Sequence, residues 1–173
     1  MAAKLKELET IDPDHPELPT WRLRLLMVQE KWPAAVVALN EMPISNAKIS
    51  FLLTACNWLA HSDADKYPMN FTKAFTTHYS KHVTEKGKES GPNTFGPSHF
   101  TNLSILCWRT GDKQAAISYA DKGVEVAMNF KAGNSKARTS AYNRFAKSVK
   151  DGTMPTFSDL ISWQKAAAAK EKE

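Results

Sequence analysis

Two histidines four residues apart, His78 and His82, are the first side chains whose spacing suggests chemistry. At i, i+4 they share one face of a helix, and imidazole nitrogens so placed can ligate a metal ion. A closed site needs further ligands; no third is evident, with Glu85 and Asp65 as no more than possibilities. The same two histidines fall on the apolar stripe that carries Phe71 and Phe75, where the competing role is a packed core residue. No metal centre and no cofactor is expected, and His78 with His82 is the sole metal-ligating candidate. Cys56 and Cys107 lie far apart, neither within a C-x-x-C, so no redox or zinc-knuckle motif is present. Both sit in apolar runs and are expected to be buried free thiols; a disulfide between them stays open. Catalytic signatures are missing: there is no G-x-S-x-G, no H-E-x-x-H and no phosphate-cradling glycine loop. The chain is not expected to be an enzyme.

A third group is cationic. Between Asn129 and Lys150 stand Lys131, Lys136, Arg138, Arg144, Lys147 and Lys150, with no acid among them, and the whole chain carries a formal charge of +5. On a helix, Lys136, Lys147 and Lys150 share the face opposite Ala141, Tyr142, Phe145, Ala146 and Val149. That face is either an acidic-partner or phosphate-binding surface or simply a solvated one. Tyr142 and Phe145 point away from it, out of reach for base stacking, and no nucleic-acid motif is present. Nucleic acid is not the expected partner.

The elements that must position these groups are helical. The chain has 173 residues, 42% of them apolar and 24% charged, with five Trp and eight Phe, values of a globular domain with a real core. Seven Gly are too few for the tight turns of an all-β fold. No apolar run reaches the ~18 residues that cross a membrane, and the first nine residues lack the apolar centre of a signal peptide. The periodicity predicts a short helix over 2–9, a stiff connector with Pro13, Pro16 and Pro19, and a hairpin over 18–42 with Pro33 in a first turn. A second hairpin over 45–86 starts at an N-cap, Ser45. A loop over 87–97 precedes a third hairpin over 98–130, and C-terminal helices occupy 135–171, the last opened by a Thr156–Asp159 capping box. The expected architecture is all-α, a single domain over 1–173 of about eight helices in stacked antiparallel hairpins.

The stretch from Phe100 to Ala127 resembles one tetratricopeptide repeat. Phe100, Leu103, Ser104 and Cys107 match the first helix, Gly111-Asp112 the turn, and Ala116, Ala120 and Gly123 the small positions of the second helix. Small residues there let two antiparallel helices approach closely. A second, degenerate match runs from Trp21 to Met42. The order of elements over 49–155, with Asn57-Trp58-Leu59 and Thr110-Gly111-Asp112, is also similar to the helical domain that follows the thioredoxin fold in some bacterial thiol-disulfide proteins. The thioredoxin fold and its C-x-x-C are missing, so no redox activity carries over.

The tetratricopeptide resemblance implies a ligand-facing surface on the first helix of that repeat, made of Ser98, Thr101, Asn102, Ile105, Trp108 and Arg109. Asn102 stands where such repeats often use an amide, Trp108 would supply an aromatic wall, and Arg109 a fork for a carboxylate. The alternative is a core Trp108 beside a surface Arg109. The expected function is protein–protein interaction or scaffolding through a protein or peptide partner, with a thioredoxin-like domain as a possible neighbour. Self-association is the second expectation, and polyanion binding on the basic face the third. Localisation follows the chain's extent: cytoplasmic if complete, periplasmic or exported if part of a thioredoxin-like protein.

Overall fold

A computed structural model describes residues 2–43, 49–90, 94–129 and 136–170. Among them lie nine α-helices and no strand: α1 (Ala2–Ile11), α2 (Leu18–Val28), α3 (Trp32–Glu41), α4 (Ile49–His61), α5 (Met69–Ser90), α6 (Pro97–Arg109), α7 (Lys113–Asn129), α8 (Lys136–Lys150) and α9 (Phe157–Lys170). A 3-10 turn, Ala64–Lys66, lies between α4 and α5. The all-α expectation holds, and Ser45 lies outside the described residues.

Helix starts follow proline and capping chemistry. Pro19, Pro33 and Pro97 stand at the first or second positions of α2, α3 and α6, where a missing N–H costs no hydrogen bond. The α6–α7 turn forms as the residues require. Gly111 takes φ +92°, a conformation that strains any residue with a Cβ. Asp112 then accepts from the Ala115 N–H at 2.9 Å. On α7, Ala116, Ala120 and Gly123 are buried, and α6 packs against them as the closest helix pair of the fold. Ser104 bridges the pair, its hydroxyl donating to the Ala116 carbonyl at 2.8 Å.

One apolar cluster runs from Leu23 on α2 to Leu160 on α9. Its ordering departs from a plain stack of hairpins. From α6 onward, successive helices pack on one another, and α2 packs on α3. In between, α3 packs on α5, while α4 meets α6 more closely than it meets α5. Trp32 of α3 joins this packing, its ring 5.1 Å from Phe71 of α5 and 5.6 Å from Tyr67 just before that helix. The expected hairpin over 45–86 is thereby corrected: its two helices both lean on α6 rather than chiefly on each other.

The loop expected from residue 87 is also shorter than anticipated, because α5 continues through Gly87 to Ser90 and α6 opens at Pro97. Glycine costs a helix about 1 kcal/mol against alanine. The Phe95 ring packs beside Gly87, 4.0 Å from where a Cβ would stand, a distance at which an alanine would also fit.

Candidate functional site

Helix α6 is enclosed. Residues 99–107 are all buried, because α4, α5 and α7 cover it from three directions. The open, ligand-facing surface expected on this helix is therefore corrected. Thr101, Asn102 and Ile105 are 2%, 1% and 3% exposed, and the polar ones are used internally, as buried polar groups must be. Thr101 donates its hydroxyl to the Pro97 carbonyl one turn earlier on α6, at 3.2 Å, and lies beside Gly123 of α7. Asn102 faces α4: its amide donates to the Asn57 side-chain oxygen, and its own oxygen lies 3.0 Å from Nε2 of His61. With the Asn102 amide committed to Asn57, that oxygen accepts, so His61 carries its proton on Nε2 and leaves Nδ1 as an acceptor.

Arg109 is half-buried at the end of α6. Its guanidinium donates to the main-chain carbonyls of Leu59 and, at 2.7 Å, of Ser62. Leu59 stands in the last turn of α4 and Ser62 directly after it, where carbonyls lack helical partners and the helix dipole is negative. A cation with two parallel donors satisfies both needs. Burial lowers the Arg109 pKa from its usual value, and the Asp63 carboxylate opposes that shift. Trp108 is half-buried against the core and carries the Lys113 ammonium over its ring at 4.8 Å.

Beyond this polar seam opens a cleft of about 690 Å³ between the end of α4, α6 and the corner that joins α8 to α9. Ile105, Met154, Phe157 and Ile161 give it apolar walls, with His61, Asp63 and Arg109 at the polar edge. The His61 and Phe157 rings stack with centroids 4.0 Å apart. Desolvation lowers the His61 pKa, the Asn102 bond opposes it, and the Arg109 charge lowers it further. Of the predicted groove residues, Ile105 and Arg109 reach this cleft, Asn102 braces it from behind, and Thr101 and Trp108 point elsewhere. His61, Met154 and Phe157 had no sequence signal as a group. The Thr156–Asp159 capping box, which forms as expected with Thr156 donating to Asp159 and the Asp159 N–H returning to Thr156 at 3.1 Å, marks only where α9 begins.

The other candidates are placed as follows. Lys136, Lys147 and Lys150 are exposed on α8, and Lys150 pairs with Asp121 of α7 at 2.7 Å. The segment itself holds no acid, and the carboxylate comes from the neighbouring helix. Arg144 stacks over Trp163 of α9 at 4.3 Å. His78 and His82 are buried on α5, and among the described residues no three His, Cys, Asp or Glu side chains are placed to hold an ion. Cys56 and Cys107 are both free and buried. No described helix is long and apolar enough to cross a membrane.

No family model, curated protein or solved structure matches this chain.

Proposed function

We propose that this chain is a protein-binding module that takes a peptide segment or a domain edge of a partner in the cleft between α4, α6 and the α8–α9 corner. The cleft itself carries the reading: about 690 Å³ with apolar walls and a few polar groups at its edge, the size and composition of a recognition site. His61 and Arg109 are held by internal hydrogen bonds, so they present a fixed pattern to a partner. The reading assigns no catalytic role and no cofactor.

The test is selection of peptides from a random library against the folded chain, followed by titration of the selected peptides. Ile161→Glu places a charge on the cleft wall and is expected to weaken binding at least tenfold while the helical circular dichroism persists. Lys73→Glu, on the exposed face of α5, leaves binding unchanged. Peptides that bind the Ile161→Glu chain as tightly as the wild type remove this cleft as the binding site.

A second reading, self-association, draws support from a different surface. Trp21 and Val28, seven residues apart on one face of α2, are 39% and 66% exposed, and Ile11 is 74% exposed. Sedimentation at micromolar concentration separates the two: a stable dimer that Val28→Glu dissolves supports self-association, and a strict monomer sets it aside. The similarity to helical domains beside thioredoxin folds supports a placement next to such a domain, which the mass of the native polypeptide in cells would test. A band near 19 kDa speaks against that placement.

A further inference from the structure

Away from the cleft, the seam between α5 and α6 holds His82 and His99 in one aromatic cluster, with buried His78 one turn before His82 on α5. His82 is fully buried, and His99 and His78 are 7% and 9% exposed. The rings of Tyr79 and His82 lie parallel with centroids 6.5 Å apart, and those of Tyr79 and His99 are 6.1 Å apart. Phe95 closes the group, edge-on to His82 at 6.1 Å and to His99 at 5.0 Å.

The surroundings of this cluster disfavour a charged imidazole. Burial holds the Tyr79 phenol protonated at any ordinary pH, and its hydroxyl is hydrogen-bonded to Nδ1 of His99. Both ring nitrogens of His82 and Nε2 of His78 have no hydrogen-bond partner among the described residues. An imidazolium needs two acceptors, and a buried cation without them is strongly unfavourable. The surrounding charges do not supply them. Lys81 acts on His78, and His78 and Lys86 act on His82, all against a positive ring. Glu85 alone favours charging His82, and it is engaged by Lys81 at 3.8 Å. From α6, His99 and His82 repel each other once charged. From α4, Cys56 stands near Tyr79 as a neutral thiol. From α7, Tyr119 is occupied with Ser80.

We propose that the His78–His82–His99 cluster makes the α5–α6 seam an acid-sensitive joint, closed near neutral pH and released on mild acidification. Burial lowers the pKa of all three, that of His99 to about 4. An unfolded imidazole titrates near 6.5. Because the folded values lie below the unfolded one, the open chain binds more protons, and stability falls as pH drops below about 6.5 toward the folded values. Above about pH 7 the contribution is complete. A histidine that stays neutral while folded raises the unfolding constant about 25-fold between pH 7 and pH 5.

Two measurements test this on the full chain. Urea unfolding at pH 7 and pH 5 is compared for the wild type and His82→Phe, which keeps a planar ring and removes the titrating nitrogens. The rise in the unfolding constant is expected to be smaller in the variant, by up to about 25-fold, and an equal rise in both overturns the proposal. The second uses the wild type alone, so it stands even if the variant fails to fold. Amide exchange, corrected for its intrinsic pH dependence, is expected to show protection lost between pH 7 and pH 5 over residues 71–83 and 99–107 before residues 141–149. Uniform loss across the chain, or no loss, overturns it.

Discussion

Arg109 closes the end of α4 by donating to the Leu59 carbonyl, fifty residues earlier in the chain, with a second donation to Ser62. A side chain that sequence reasoning assigned to a partner's carboxylate thus answers a need inside the fold. Arg109→Ala is expected to destabilise the chain by about 2 kcal/mol, the usual worth of hydrogen bonds from a charged donor. Arg109→Lys recovers less than half of that, because an ammonium cannot span two carbonyls as a fork. Urea midpoints read both. A change under about 0.5 kcal/mol for Arg109→Ala, the scatter of ordinary surface substitutions, would assign the contact no weight.

Gly123 is tightly approached without being overpacked. A Cβ at this position meets the Phe100 Cβ and the Pro97 carbonyl at 3.6 Å and the Thr101 hydroxyl at 3.8 Å, ordinary van der Waals distances. Gly123→Ala is therefore expected to be neutral or to stabilise by up to about 1 kcal/mol through helix propensity. Gly123→Leu pushes α6 away and costs about 1–3 kcal/mol, as overpacking does. Thermal melts separate the two. An alanine as damaging as the leucine would mean that the two helices tolerate no side chain there.

At the start of α9, the capping box makes an acid-dependent prediction. Hydrogen bonds from the Thr156 hydroxyl and N–H lower the Asp159 pKa from its usual value. Because the folded value lies below the unfolded one, this contribution is present at neutral pH and is lost as pH falls below the ordinary carboxylate range. Thr156→Val removes the hydroxyl and is expected to lower the melting temperature more at pH 7 than at pH 3, where only the pH-independent bond from the Asp159 N–H is still lost. A drop of equal size at both values argues against the carboxylate's part in the cap.

Both thiols should be inert in the folded chain. Cys56 is fully buried and its pKa is raised well above normal by burial, with Cys107 adding to the effect. Burial, reinforced by Asp112, pushes Cys107 up to about 12. Since only the thiolate reacts, alkylation by iodoacetamide at pH 8 is expected to be at least 100-fold slower in buffer than in urea, followed by mass. Fast labelling of Cys107 in buffer would show that its side of the α6–α7 turn opens readily.

What the amino-acid order determined by itself is what depends on neighbours three or four residues apart. Gly111 and Asp112 as a turn, Ala116, Ala120 and Gly123 as a contact face, and Thr156 with Asp159 as a cap were all legible, because each rests on local backbone geometry. Helix type followed from the same periodicity. What tertiary structure alone decided is which face of α6 meets what. Asn102 and Arg109 have side chains suited to a ligand, and nothing within a turn of them distinguishes a peptide from Asn57, His61 and the carbonyls of α4. That choice depends on α4 leaning on α6 instead of pairing closely with α5, a contact between segments some 40 to 50 residues apart. The reach of α5 through Gly87 was hidden for the same reason, since the Phe95 ring that packs there comes from beyond the helix. Burial of His82 among aromatic rings likewise needed α5, α6 and Phe95 together: periodicity placed it on an apolar stripe, but only packing left its ring without a hydrogen-bond partner among the described residues.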